Sequence, residues 1–347
     1  MIDKWKMFQY IEHTLQIQHL YIIQQMLCES LLDNYWFLEA VKKMTTPISI
    51  PEETTFSIHP ATTIGQVSLT VANLDAQIAF YKQVLGLRLH WRDDDRAGLG
   101  AGREDLLHLV QQPQAHRYRG VTGLYHFAIV YPDRRELARA VGRLFTLGYP
   151  NYPTDHIMTK TTYLDDPEGN GIELYAESPE DGEFTIEDGE FVTRRADGSL
   201  SDGRELLDVE ALFTHLKPDD RLDEPITPLA RLGHVHLHVS NVPEAVDFYH
   251  GVLGFDLKGY SQVFQAAFVS AGGYHHHLGL NAWKGEGAPP PPPDALGLRH
   301  FSIVLPDQQA LDDVIARIDA AGIPANQTGS SLLLADPSQN GVMLAVK

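Results

Sequence analysis

The sequence predicts an α+β fold made of four units of strand, helix and further strands, preceded by a helical extension. Two observations lead to this prediction. Short motifs recur in the same order along the chain, and within each unit the apolar residues change from alternating to helical spacing. A length of 347 residues suits two domains of ordinary size better than one compact core.

The first and third units open with matching strands, at residues 65–71 and 233–239. Apolar residues alternate along both strands, so one face of each is expected to pack on helices. The opposite face of the 233–239 strand carries His234, His236 and His238 and is expected to line a cleft. Each strand is followed by a helix that ends in Phe-Tyr and then Leu-Gly, at residues 80–86 and 248–254.

The second and fourth units also match each other, at residues 123–130 and 297–304, which carry His126 and His300. Both units close with an Asp-Pro turn that ends in Asn-Gly, at residues 166–171 and 336–341. Proline fixes φ, whereas Gly and Asn tolerate positive φ, so this composition predicts a tight turn before a final strand.

The four units divide the chain into two halves with distinct flanking segments. Residues 60–180 and 230–347 are expected to be two-unit domains, joined by an acidic linker at 181–229 with one short helix near residues 206–216. Residues 1–43 have the apolar spacing of an amphipathic helix or pair of helices and form the extension.

Composition excludes several classes of function. Lys+Arg 27 against Asp+Glu 46 gives a formal charge of −19, which disfavours binding to nucleic acid or to an anionic membrane surface. The single cysteine, Cys28, excludes thiolate zinc sites and iron–sulfur clusters, so a metal would need histidine, carboxylate or amide ligands. No stretch has the pattern of an export signal or a membrane span, and a cytoplasmic location is expected.

Taken together, these motifs resemble the vicinal oxygen chelate superfamily, which includes glyoxalase I, bleomycin-resistance proteins, fosfomycin-resistance enzymes and type I extradiol dioxygenases. The segments at 123–129 and 272–281 are similar to those of bacterial two-domain catechol 2,3-dioxygenases. The resemblance implies βαβββ modules that pair into two cupped mixed sheets, with a metal held in a cup by residues of the opening and closing strands.

The metal ligands depend on which modules pair. Pairing of modules one and two would bring together Gln66, His126 and Glu173, as in glyoxalases. Pairing of modules two and three would give His126, Glu173 and His234, the two-histidine, one-carboxylate triad of non-haem Fe(II) oxygenases. Pairing of modules three and four would give His234 and His300 without a carboxylate, and pairing of modules one and four would give Gln66, His300 and Met343, a poor site. We therefore predict that His126, Glu173 and His234 bind the metal.

The resemblance also implies catalytic residues. Tyr163 lies ten residues before the carboxylate ligand and is expected to donate a hydrogen bond to the substrate. His276 best matches the acid–base histidine of the third module, although His275 and His277 are one position away. His156 is expected to add a further hydrogen bond to substrate or oxygen.

The expected function is that of a cytoplasmic extradiol dioxygenase that uses Fe(II), with Mn(II) as an alternative, and cleaves catechol or a substituted catechol with O₂. Family members commonly assemble into oligomers, so a homo-oligomer is expected. Two alternatives stay open at this point. One is a glyoxalase-like metal-dependent isomerase or lyase, and the other is a non-catalytic small-molecule binding protein of the bleomycin-resistance type.

Overall fold

The computed structural model describes residues 56–187 and 190–347. The extension predicted for residues 1–43 lies outside the described residues. Within them, four modules follow one another, and each begins with a strand and a helix. No helix in this part of the chain is long and apolar enough to cross a membrane.

The first two modules have the same order of elements. The elements of module one are β1 (Thr63–Val71), α1 (Leu74–Gln83), β2 (Arg88–Arg92), β3 (Arg96–Gly100) and β4 (Asp105–Gln111). Those of module two are β5 (Gly123–Tyr131), α2 (Arg134–Leu147), β6 (Tyr152–Asp155), β7 (Thr159–Asp165) and β8 (Gly171–Glu177).

The last two modules repeat this order after an intervening segment. That segment contains β9 (Gly182–Glu187), β10 (Glu190–Arg195), β11 (Leu200–Ser201), β12 (Glu205–Leu206) and α3 (Val209–Phe213). Module three consists of β13 (Arg231–His238), α4 (Val242–Val246), which continues as a π-helix (Asp247–Val252), β14 (Asp256–Ser261), β15 (Ala266–Ser270) and β16 (Leu278–Asn281). Module four consists of β17 (Gly297–Leu305), α5 (Gln308–Ala320), β18 (Ala325–Thr328), β19 (Ser331–Ala335) and β20 (Gly341–Val346).

Each of the five α-helices in the described part of the chain starts at an aspartate or asparagine. The side chain accepts a hydrogen bond from the backbone N–H three residues later and so satisfies one of the free donors of the first turn. The capping residues are Asn73, Asp133, Asp208, Asn241 and Asp307. These caps fix where each helix begins after its opening strand.

The modules pair across the two halves of the chain. Modules one and four form an eight-stranded sheet in the order β18-β19-β20-β17-β1-β4-β3-β2. Modules two and three, with β12, form a nine-stranded sheet in the order β12-β6-β7-β8-β5-β13-β16-β15-β14. Both sheets are mixed, because the opening strands pair antiparallel with each other and parallel with the last strand of their own module.

This pairing crosses the predicted division of the chain into two halves. Residues 60–180 and 230–347 do not each form a sheet of their own, because β1 pairs with β17 and β5 pairs with β13. Each half instead contributes one module to each sheet. The two halves correspond to the repeat in the sequence. The sheets instead join modules one and four, which are far apart in the sequence, and modules two and three, which are separated by the intervening segment.

The segment at 181–229 is more ordered than a linker. It contains a small sheet in the order β11-β10-β9, and β12 extends the nine-stranded sheet by pairing with β6. Its helix α3 is shorter than predicted. Phe184 and Phe191 stack on each other at 5.2 Å and pack against Phe268 of β15, which ties this small sheet to module three.

One continuous apolar core contains residues of all four modules. Two buried hydrogen bonds cross it between consecutive modules. Tyr81 of α1 donates to Asp166 in the β7–β8 turn at 2.8 Å, and Tyr249 of the π-helix donates to Asp336 in the β19–β20 turn at 3.1 Å. The Phe-Tyr and Asp-Pro motifs therefore recur together because they bond to each other across the two sheets.

Candidate metal centre

The middle of the nine-stranded sheet brings together residues that are far apart in the sequence. Strand β5 lies between β8 and β13. His126 is on β5, Glu173 lies beside Ala128 of β5 in the parallel pairing, and His234 lies beside the same Ala128 in the antiparallel pairing. Since alternate residues of a strand share a face, all three side chains project into one cup.

Their donor atoms converge. Glu173 Oε2 lies 3.0 Å from His126 Nε2 and 3.0 Å from His234 Nε2, and the two nitrogens are 3.3 Å apart. The side chains are 6%, 5% and 2% exposed for His126, Glu173 and His234. Two donors bound to a metal at about 2.1 Å and at right angles lie about 3.0 Å apart, so this triangle fits one face of an octahedral site.

The electrostatics of the triad suit a cation. Burial works to raise the pKa of the Glu173 carboxyl, but the two imidazoles outweigh it and hold that pKa well below its usual range. Burial lowers the pKa of His234 to about 4. A carboxylate with neutral imidazoles is the form in which these groups bind metals, and a divalent cation would offset the buried negative charge.

A neighbouring threonine orients the carboxylate. Thr161 of β7 donates its hydroxyl proton to Glu173 Oε1 at 3.2 Å, so the other oxygen faces the two imidazoles. Thr161 was not among the residues predicted from the sequence to belong to the site. Its position two residues before Tyr163, on the strand paired with β8, was the signal available.

Tyr163 and His156 lie together beside the triad. Tyr163 is paired with Glu173 across β7 and β8, and its hydroxyl is 2.8 Å from His156 Nε2. The Nδ1 atom of His156 contacts the carbonyl of Gly203. A carbonyl only accepts, so His156 carries its proton on Nδ1, and Nε2 accepts the proton of Tyr163. Burial raises the pKa of Tyr163 well above its ordinary value, and Glu173 adds to this.

The three histidines before β16 have different surroundings. His277 accepts a backbone N–H at 3.1 Å through its Nδ1, and His275 contacts Glu177 at 3.3 Å. His276 makes no hydrogen bond to any described residue, and its ring lies 4.2 Å from that of His234. His276 is therefore the one whose nitrogens are uncommitted beside the triad.

Comparison with known proteins gives the family. Residues 63–174 and 231–343 match the profile of the Glyoxalase/Bleomycin resistance protein/Dioxygenase superfamily. The chain belongs to this superfamily. Catechol-2,3-dioxygenase of Bacillus subtilis (strain 168) is 41% identical over 284 residues, which are 81% of this chain and 96% of that protein.

A solved structure agrees with the superfamily fold. The crystal structure of a candidate dioxygenase from Bacillus subtilis subsp. subtilis str. 168 aligns with a TM-score of 0.55 at 14% identity, over 84% of this chain and 86% of that one. The predicted α+β fold, the resemblance to the superfamily and the prediction of a catechol 2,3-dioxygenase-like enzyme are confirmed by these matches.

Further rings line the cup of this superfamily member. The ring of His236 lies 5.1 Å from those of His126 and Tyr125, and Trp283 lies 5.6 Å from His236. His238 contacts the side-chain oxygen of Asn281 at 2.7 Å. The alternating pattern of β13 had placed its histidines on a cleft, but Tyr125 and Trp283 were not assigned to it.

The other sheet offers no equivalent centre. Gln66, His300 and Met343 lie on β1, β17 and β20 of the eight-stranded sheet, away from the triad. His108 of β4 is bound to Asp105 at 2.9 Å. Within the described residues, potential ligands cluster only as the triad and as a second group formed by His234, His275 and His276.

Proposed function

We propose that the protein is an Fe(II)-dependent extradiol dioxygenase, which opens the ring of catechol or a substituted catechol with O₂. The observation that carries this proposal is the converged triad of His126, Glu173 and His234. Two histidines and one carboxylate on one face leave the opposite positions for two substrates. Mn(II) accepts the same ligands, and a cytoplasmic location and a homo-oligomer remain predictions.

The three ligand side chains are buried, and their neighbours hold them in fixed positions. Iron bound by the triad would hold the diol and O₂ together and pass electrons between them. The protein orients the substrate through the rings that line the cup. Thr161 fixes the carboxylate, and the strands β8, β5 and β13 fix the ligands because they are the hydrogen-bonded centre of a sheet.

Proton control falls to His276. Its ring faces His234, and burial lowers its pKa well below the ordinary value, so it is neutral and able to accept a proton from a diol hydroxyl. The same group would return the proton as the ring opens next to the diol, which gives a product of the muconic semialdehyde type.

Tyr163 and His156 form a second proton path. In the arrangement described above, Tyr163 donates to His156, whose orientation is fixed by Gly203. A proton gained at His156 Nε2 would reverse this bond and leave the Tyr163 hydroxyl free to donate into the cup. Tyr163 would then stabilise negative charge as it develops on a substrate oxygen.

The isomerase alternative loses support from the pairing of the modules. Its ligand set needs Gln66 together with His126 and Glu173, but Gln66 lies in the other sheet. A metal-free binding protein would have no use for a buried carboxylate between two imidazoles. The experiment below distinguishes this reading from an oxygenase.

The test is anaerobic loading with Fe(II), followed by catechol and air, with absorbance, oxygen uptake and bound iron measured together. We expect a yellow ring-cleavage product from the wild-type protein. The Glu173→Gln variant should lose bound iron and colour together, whereas Glu180→Gln, an exposed carboxylate just after β8, should keep both. Iron-loaded protein that consumes no oxygen with catechol or its alkyl and halo derivatives would overturn the proposal.

A further inference from the structure

A chain of contacts runs around one side of the mouth of the cup. The Tyr125 ring lies 4.9 Å from the ligand His126 and 5.2 Å from Trp283. Trp283 Nε1 donates to the carbonyl of Phe264 at 2.7 Å. The guanidinium of Arg204 lies 5.5 Å from the centre of the Phe264 ring. An arginine is thus joined to a metal ligand through three aromatic residues.

The other side of the mouth leads back from Arg204 to the triad. The preceding residue, Gly203, contacts His156 through its carbonyl, and His156 contacts the Tyr163 hydroxyl. Tyr163 is paired with Glu173. We call the whole circuit, from His126 to Arg204 and from Gly203 back to Glu173, the mouth ring. Arg204 is its one lysine or arginine.

A series of aromatic contacts connects the neighbours of the triad to Phe264, the ring beside Arg204. The Phe268 ring lies 4.8 Å from His276 and 5.8 Å from His236. Phe191 of the small sheet packs on Phe268 at 5.3 Å and on Phe264 at 6.1 Å. Aromatic faces of this kind pack well against a planar ring.

Arg204 is free to bind a ligand. Its side chain is exposed and makes no ion pair or hydrogen bond within the described residues. The nearby acids are engaged elsewhere: Asp202 accepts the backbone N–H of Arg204 at 2.8 Å, and Glu205 contacts Arg195 and accepts from Ser201. A guanidinium binds a carboxylate with two parallel hydrogen bonds.

Other cations act in the same direction. Burial, together with the positive charges of Lys284 and Arg117, lowers the pKa of His238 to about 4. His238 lies 5.1 Å from Tyr125, inside the mouth. Lys284 and Arg117 thus act on a ring beside Tyr125, in a chain whose formal charge is −19, and their charges favour the approach of an anion.

We propose that Arg204 binds an anionic substituent of the substrate, so that the preferred substrates are aromatic diols with a carboxylate side chain. The inference rests on the proposed function for the diol end of the site. The inference adds Arg204 as a specificity-determining residue at the end of the site opposite the diol.

The test compares each acid with its neutral amide, because the pair differs in charge and little in shape. The probes are 3,4-dihydroxybenzoate and 3,4-dihydroxyphenylacetate with their amides, measured with wild-type, Arg204→Met, Arg204→Lys and Arg103→Met proteins. Arg103 is an exposed arginine on the β3–β4 turn of the other sheet, so its variant removes the same charge away from the mouth.

We expect the wild-type protein to have a higher kcat/KM for at least one acid than for its amide. Arg204→Met should lower that ratio by about 10- to 100-fold, the size of a charged hydrogen bond, with kcat/KM for the amide changed by less than about 3-fold. Arg204→Lys should restore part of the ratio, and Arg103→Met should leave it unchanged. Equal ratios in wild-type and Arg204→Met proteins would overturn the inference while ring cleavage itself still stood.

Binding gives a second readout that does not need turnover. Calorimetric titration of the metal-free protein with the same acids and amides should show a preference for an acid that Arg204→Met abolishes. If no diol is cleaved by the iron-loaded wild-type protein, the proposed function fails, and this titration alone decides the inference. Acid binding that is absent, or present equally in Arg204→Met, would then contradict it.

Discussion

At the level of single residues, the three consecutive histidines His275–His277 have different contacts and therefore different expected roles. His277 is held by a backbone N–H and a serine hydroxyl of its own hairpin, and His275 is held by Glu177. These contacts are structural. The remaining imidazole, that of His276, faces the triad without a fixed partner, which is the condition that a group transferring protons requires.

The variants of this run should therefore separate chemistry from stability. His276→Asn is expected to lower kcat by about 10²–10⁴-fold, the usual worth of a general acid–base, while it retains bound iron. His277→Phe should instead lower the free energy of unfolding by about 1–3 kcal/mol, because two donors lose their buried acceptor. Steady-state kinetics and iron content test the prediction for His276→Asn, and urea denaturation tests the prediction for His277→Phe. An His276→Asn protein within tenfold of wild-type kcat would exclude this role.

Asp105, in the other sheet, is expected to make stability depend on pH. Partial burial works to raise its pKa, but hydrogen bonds from Trp91, His90 and His108 at 2.6–2.9 Å lower it overall. A lowered pKa in the folded state adds stability above the unfolded value of about 4. That stability is lost as the pH falls through the folded pKa.

Asp105→Asn should accordingly cost about 1–2 kcal/mol at pH 7, and the cost should shrink below about pH 4. Urea denaturation of the wild-type and Asp105→Asn proteins between pH 3 and pH 7 measures this difference in the free energy of unfolding. A cost that stays constant over this range would mean that the charge of Asp105 contributes nothing.

The positions of candidate site residues were predictable from the sequence where a motif is local. His126 follows its Gly-Leu-Tyr motif, and Glu173 follows its turn. Arg204 was not predictable, because its distance from the triad depends on how the small sheet packs against module three. Nothing in the residues around Arg204 encodes that packing.

At the level of elements, the small sheet formed by β9, β10 and β11 was not predicted from the sequence. Acidic composition suggested a linker, yet Phe184 and Phe191 are separated by a stretch containing Asp188-Gly189, a dipeptide typical of hairpins. The strands β9 and β10 do pair antiparallel. A short hairpin with few apolar residues becomes stable only by packing against other elements, here the phenylalanines of module three.

The two Tyr–Asp bonds between modules give an element-level prediction. Tyr81→Phe and Tyr249→Phe should each lower the free energy of unfolding by about 1–3 kcal/mol, because a buried aspartate loses one donor. Tyr118→Phe is the control, since Tyr118 makes the same kind of bond to Asp294 on the surface. Urea denaturation should find the control within about 0.5 kcal/mol of wild type. Equal effects of all three substitutions would contradict the structural role of the buried bonds.

At the level of the whole molecule, the repeat alone could not decide how the modules pair. Each opening strand resembles the others, so several pairings satisfy the apolar pattern. The choice of modules two and three rested on the chemistry of the ligands, because among the four pairings considered it alone gives two histidines and a carboxylate. The pairing of modules one and four then follows as the remaining combination.

A break in the chain tests this arrangement. We expect residues 1–188 and 189–347, expressed together, to form a 1:1 complex that binds one iron, since His126 and Glu173 come from one piece and His234 from the other. Expressed alone, neither piece should be a folded monomer, because β1 and β5 lose β17 and β13. Light scattering after gel filtration, iron content and urea denaturation check this, with the unbroken chain as reference. A half that unfolds cooperatively as a monomer would contradict it.

The pairing of β1 with β17 also determines when the eight-stranded sheet can form during translation. The ribosome makes β1 near the start of the described chain and β17 near its end. At a translation rate of about 5–20 residues per second, β17 is synthesised roughly 10–50 s after β1. During that time the apolar face and open edge of β1 are exposed to other nascent chains. The nine-stranded sheet, whose opening strands are closer together in the sequence, is complete first, so the candidate metal centre is assembled before the eight-stranded sheet.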